Sequence, residues 1–297
     1  MNASIKSISS FSLALLGVLI WGTLIGVFVS LLSNFIYIVF LFPLGMGFLG
    51  AMLVEKTIYN AKIRKAAQGI FLGTLMAVAI YGAYHFSDYL VFRGQLVFEM
   101  NNQIVAETGR SELEAANFKA DYTLKEETGH TGFLGYILHM DKRGVEIGRT
   151  VGSSSFNLGP FFTWTFWLLE LAIIGWLTVG VGRKAAGRPF CEECDRWYGK
   201  EQHLGGVNQA RAAILTLLFE QGKFDLAGRM LEMDTGNPSL EVYAQRCETC
   251  TSGDTRLTLK RTSHDKMGKL KFKPSTKLSV RSTEAASMMQ ELRFNIY

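Results

Sequence analysis

"SISSFSLALLGVLIWGTLIGVFVSLLSNFIYIVFLFPLGMGFLGAMLV", residues 7–54, holds 48 residues without one Asp, Glu, Lys or Arg. A hydrocarbon core about 30 Å thick is crossed by roughly 20 apolar residues in a helix, so this run is long enough for two spans. Its most polar point, Ser30-Leu31-Leu32-Ser33-Asn34, is where a tight turn is expected, with helices over 11–31 and 35–54. Pro43 and the glycines at 45, 47 and 50 predict a kinked or irregular second helix. A cleaved signal peptide does not fit. The apolar segment runs far past the usual ~7–15 residues, and no small-residue cleavage site leads into a polar chain.

Working outward, residues 66–87 carry no charged side chain and residues 158–182 carry one, Glu170. Each run suits one further span. A soluble fold would have to bury all of them in one small core, which a chain of 297 residues cannot do. The expected fold class is therefore an α-helical integral membrane protein with four transmembrane helices. It carries a small α+β extracytoplasmic loop domain and a cytosolic zinc-ribbon-like α+β C-terminal domain. The expected segments are an N-terminus (1–10), a transmembrane hairpin (11–54), a basic link (55–65), helix three (66–87), the loop domain (88–157), helix four (158–182) and the C-terminal domain (183–297).

Basic residues near the span ends fix the orientation, because Lys and Arg collect on the cytoplasmic side. Lys6, the four in the 55–65 link and the five just after helix four make ten, against Arg93, Lys142, Arg143 and Arg149 beside the loop domain. Both termini are thus expected in the cytosol, in a plasma or inner membrane. All four cysteines, Cys191, Cys194, Cys247 and Cys250, follow the last span and so face a reducing compartment. A disulfide framework is the poorest reading of them.

Two Cys-x-x-Cys pairs supply the four thiolates of a closed tetrahedral zinc site. Trp197 and Tyr198 follow the first pair, where zinc knuckles carry an aromatic cover, and Gly253 follows the second. The pairs stand 52 residues apart, against the usual ~15–20 of a ribbon. An inserted helical hairpin over 208–234 accounts for the excess. Alternatives are a redox dithiol and plain buried cysteines. Glu192, Glu193, Asp195 and Glu248 oppose the electropositive setting that a reactive thiol needs. The expectation is one structural Zn2+ per chain, with no open position for catalysis.

Within the insertion, Ala210, Ile214, Leu217, Leu218, Leu226 and Met230 recur at helical spacing, either as core or as a docking stripe. After the second pair the period changes to two. A basic β tail (255–281) is expected, with Pro274-Ser275-Thr276 as its turn and one basic face. Its Arg256, Lys260, Arg261, Lys269, Lys271, Lys273, Lys277 and Arg281 are candidates for contact with anionic headgroups of the bilayer. Nucleic acid is disfavoured, since only Phe272 offers a stacking ring among them. The last element, "TEAASMMQELRF", is expected to be a short helix capped by Thr283.

In the loop domain, "YLVFRGQLVF" reads as a strand, "RSELEAANF" and "GFLGYILHMDKRG" as helices, and "VEIGRTVG" as a strand. Within the spans, Gly22-x-x-x-Gly26 and Gly69-x-x-x-Gly73-x-x-x-Ala77 let helix backbones approach; whether copies of the chain form a homo-oligomer they leave open. Glu170 is the one mid-depth carboxylate, with Thr23 and Thr74 as expected hydrogen-bond partners. No phosphate loop, nucleophile elbow or His-Glu-x-x-His helix is present, so a non-enzymatic protein is expected. The leading expectation is a multi-pass membrane scaffold or regulator whose zinc module recruits a cytosolic protein partner. The rival is a small transporter or channel subunit using Glu170.

Overall fold

A computed structural model describes residues 2–33, 40–144, 146–147, 156–157, 159–233, 239–249, 254–264 and 270–294. The chain forms two compact units, Met1–Gly187 and Arg188–Tyr297.

Four helices of the first unit are long and apolar enough to cross a membrane: α1 (Asn2–Ser33), α2 (Leu41–Ala61), α3 (Ala66–Thr108) and α6 (Gly159–Ala186). Large apolar side chains such as Leu13, Phe28, Phe48 and Trp176 stand exposed along them, as a hydrocarbon surrounding allows. Between the helices the contacts are made by small residues. A Cβ built on Gly26 would lie 2.3 Å from the carbonyl oxygen of Ile80, and one on Gly69 2.3 Å from that of Gly182. Both glycine motifs are therefore consumed inside the bundle, α1 against α3 and α3 against α6. Gly47 and Gly50 do the same for α2 against α6 and α3.

Three expectations for the spans need correction. Helix α2 begins at Leu41 rather than 35, and α1 stays helical to Ser33 through most of the expected turn, while residues 34–39 lie outside the described residues. Pro43 falls in its first turn, where the missing N–H has no intrahelical partner to lose, so the helix runs unbroken to Ala61 and takes in part of the basic link. The largest change is in α3, which continues through "YLVFRGQLVF" to Thr108 instead of ending near 87. Tyr89 and Phe92 there pack against Tyr136, at ring separations of 5.7 and 5.3 Å. Tertiary packing on helices thus overrides the local strand preference of these residues.

The loop region is mostly helical as a result. Helix α4 (Leu113–Thr128) lays Ala116, Ala120 and Leu124 against the extended α3. Helix α5 (Gly132–Arg143) leads to a two-residue ribbon of β1 (Glu146–Ile147) and β2 (Phe156–Asn157). The rest of the expected "VEIGRTVG" strand lies outside the described residues.

The second unit opens with the short hairpin β3 (Phe190–Cys191) and β4 (Arg196–Trp197). A four-stranded antiparallel sheet follows, in the order β5 (Gln202–Val207), β6 (Leu240–Gln245), β7 (Thr255–His264), β8 (Leu270–Val280). Helices α7 (Gln209–Glu220) and α8 (Phe224–Met230) are inserted between β5 and β6, and α9 (Ser282–Phe294) ends the chain. The core lies between sheet and helices: Val242, Leu257 and Leu259 from the strands meet Leu215, Phe219, Ala227 and Met288. The insertion is helical as expected, but β5 and β6 also occupy the interval between the cysteine pairs. Gly205, at φ 136°, forms the bulge that bends β5 toward Glu232, a conformation only glycine adopts at no steric cost.

Two further expectations fail here. Pro274-Ser275-Thr276 is not a turn. It lies within edge strand β8, where the register skips Ser275 opposite Leu259 and Lys260; an edge bulge tolerates the absent proline N–H. Thr283 is not a cap either, since Ala285 N already donates to Arg281 O at 3.0 Å and Ser282 opens the helix.

Candidate metal centre and the polar cavity of the bundle

Strands β3 and β4 pair Cys191 with Arg196 and Phe190 with Trp197. Residues 192–195 close the hairpin, with Asp195 at φ 50°, a left-handed position that Asp tolerates well. The rings of Phe190 and Trp197 meet edge to face at 5.2 Å and fix the hairpin's base. Just beyond it, Gly199 N donates to Arg246 O at 2.9 Å and accepts at its carbonyl from Gln245 Nε2 at 2.8 Å. A Cβ on Gly199 would lie 2.3 Å from Glu248 Oε1, so a larger residue there would have to push the Glu248 side chain aside.

This junction brings the end of β6, and with it Cys247, against the hairpin. The thiol sulfurs of Cys191, Cys194 and Cys247 lie within 4.8 Å of one another. Bonds of about 2.3 Å at tetrahedral angles would separate sulfurs by about 3.8 Å, so the cluster fits a metal with little adjustment. Cys191 and Cys247 are buried, each 4% exposed. These three cysteines could hold a metal ion; Cys250 and Gly253 lie outside the described residues. The Cys-x-x-Cys spacing singles out the thiols. Gly199, which joins the two halves, gives no such signal.

In the bundle, Glu170 is 3% exposed and accepts from Tyr81 Oη at 3.1 Å. Tyr81, Tyr84, His85 and Asp88 follow at helical intervals and share one face of α3. Asp88 accepts from Ser30 Oγ at 2.5 Å, Ser30 being fully buried on α1. Tyr84, His85, Asp88, Trp167 and Glu170 line a cavity of about 310 Å³, which α5 borders with Tyr136 and Arg143. The Nε2 atom of His85 is buried with no hydrogen-bond partner among the described residues.

Thr23 and Thr74 do not join Glu170. Both are exposed; the Thr74 hydroxyl donates to Ile70 O at 3.0 Å, and Thr23 lines a separate apolar depression with Val27 and Val78. The exposed Thr74 satisfies itself on its own helix, while the buried acid is met by a tyrosine from α3. Asp88 escaped the reading of charge-free runs because it follows one directly, and its register with Tyr81, Tyr84 and His85 was the available signal.

The basic strands do not form one face. By register, Arg256, Lys260 and Lys277 lie on the side opposite Leu257 and Leu259, whereas Arg261 and Lys273 fall on the other. The Ser275 bulge and the alternation of β7 cause this division. Lys269 lies outside the described residues, and Arg281 follows β8. Lys260 Nζ reaches Glu201 Oε2 at 2.6 Å and lies 3.7 Å from the Tyr243 ring centre. Burial, then the hydrogen bond to Glu241, pushes the Tyr243 phenol up to about 12.

Of the helical stripe, Leu218 and Met230 pack against the core, as do Leu215 and Phe219; Ile214, Leu217 and Leu226 are exposed. Comparison with protein-family models, with curated proteins and with solved structures finds no match to the chain.

Proposed function

We propose that the chain is a multi-pass membrane scaffold or regulator with both termini in the cytosol. Its second unit is a module held together by structural zinc that recruits a cytosolic protein partner. The observation that carries this reading is the meeting of Cys191, Cys194 and Cys247 at the join of hairpin and sheet, with Cys250 as the fourth thiolate by spacing. A site closed by four cysteines has no position for water or substrate and serves folding rather than chemistry. The exposed Ile214, Leu217 and Leu226 on α7 and α8 supply an apolar surface for the partner.

Purified full-length protein is expected to carry one zinc per chain by elemental analysis, and Cys191→Ser together with Cys247→Ser should lose it. A photo-crosslinker at Leu217 should capture one partner in cells, and Ile214→Asp should abolish capture without changing zinc content. Metal-free protein of unchanged stability would overturn the module reading. The rival reading, ion passage past Glu170, draws support from the cavity and is separated by proteoliposome flux with Glu170→Gln.

A further inference from the structure

We propose that the cavity where α5 meets the bundle is a binding site for a small organic ammonium ion. This goes beyond the scaffold reading and is independent of the thiol centre. Among the described residues all of the lining but Gly144 is helical, from α1, α3, α5 and α6, so most of the groups that face the cavity are held by packing. Its volume of about 310 Å³ lies at the small end of ligand pockets, which run from roughly 300 to 1,000 Å³.

The lining chemistry selects the ligand. Among the described residues, the carboxylates of Asp88 and Glu170 and the guanidinium of Arg143 line the cavity, and carboxylates in a desolvated cavity attract a cation and repel an anion. Ser30 and Tyr81 each donate to one of the carboxylates, at 2.5 and 3.1 Å. A carboxylate has about four acceptor positions, so Asp88 keeps acceptor capacity beyond its bond from Ser30. Tyr84, Tyr136 and Trp167 supply aromatic faces, which attract ammonium groups through the ring quadrupole. A hard divalent metal would instead want about six oxygen ligands, which this aromatic lining does not offer.

His85 adds an independent mark. Its buried Nε2 has no partner among the described residues, and an unsatisfied buried polar atom is costly. In the tautomer with Nε2 unprotonated, that atom accepts an N–H from the ligand. An ammonium with at least one N–H therefore fits better than a quaternary one.

Full-length protein in neutral-lipid nanodiscs can be titrated calorimetrically with n-butylammonium chloride, with n-butanol as the uncharged control. Saturable binding of the amine and none of the alcohol is expected. Asp88→Asn and Glu170→Gln should each weaken binding at least ~tenfold, since each removes a charged contact from a desolvated site. Arg143→Gln should tighten it by removing the competing cation, a gain that misfolding cannot imitate. No saturable heat would overturn the proposal. So would equal binding of butanol, affinity unchanged in both carboxylate variants, or displacement by sodium at equal potency.

Discussion

Substituting Gly26 by alanine tests the packing that holds the first unit together. The added Cβ would stand 2.3 Å from Ile80 O and 2.8 Å from both Ala83 Cβ and Tyr84 N, where ordinary contact begins at 3.4 Å. Two of the three obstacles are backbone atoms, which no rotamer change can move. Helix α1 must retreat from α3 by about 1 Å. Ser30, one turn along α1, would move with it, and its 2.5 Å bond to Asp88 would pass out of hydrogen-bond range. Overpacking of this kind costs about 1–3 kcal/mol, and a lost interhelical hydrogen bond adds about 0.6–2 kcal/mol. Together they predict a loss of about 2–5 kcal/mol. Gly17→Ala is the control, because a Cβ there meets nothing within 4 Å. Reversible unfolding of the purified protein by SDS titration would measure both. If Gly26→Ala unfolds together with Gly17→Ala, the helices are not in the contact described, and the reasoning fails.

Leu215→Ala should destabilise the second unit by about 2–5 kcal/mol because the residue is fully buried. Leu217→Ala, half exposed, should stay within about 0.5 kcal/mol by the same denaturation assay. Glu170→Gln keeps an acceptor for Tyr81 and should unfold like wild type, whereas Glu170→Leu should lose about 0.6–2 kcal/mol; equal losses would remove the role given to the 3.1 Å bond. Arg261 and Lys273 stand directly opposite each other in the sheet, both exposed. Lys273→Glu should therefore stabilise the hairpin by about 0.2–1 kcal/mol, less at high salt, and a melting point unchanged at low salt would refute the pairing. Because thiolates must be deprotonated to bind zinc, metal content should fall as the pH is lowered, which a chromophoric chelator reads directly.

The four long apolar helices were legible because bilayer thickness imposes a length that apolar runs either meet or miss. The start of α3 at Ala66 was equally plain, since the basic link stops the hydrophobic run there. Its end was not. Residues 89–98 combine aromatic and β-branched side chains that suit a strand, and only Tyr136 of α5, far along the chain, reveals that they stay helical. Helix α7 shows a different limit. Ile214 and Leu217 make as good an apolar stripe as Leu215 and Phe219, so periodicity identifies the helix but not its buried side. At the candidate site, the thiols carry their own spacing rule, whereas Glu170's partners depend on which helix neighbours which. That information lies in the fit of Gly69 against Gly182 and of Gly26 against Ile80, not in any local pattern.

Helix α3 has one more consequence. Its 43 residues at 1.5 Å each extend about 64 Å, roughly twice the thickness of a hydrocarbon core. About half of it is enough to cross a bilayer, α4 and α5 pack along the other half, and no break separates the two halves. Such a rod is a lever. Its fulcrum is the glycine contacts around Ile80, where α1 and α3 touch backbone to backbone. A sideways push on the free arm near Thr108 cannot be absorbed by a hinge, so it tilts the apolar arm through the same angle. Asp88, close to the point where the arms meet, turns with it.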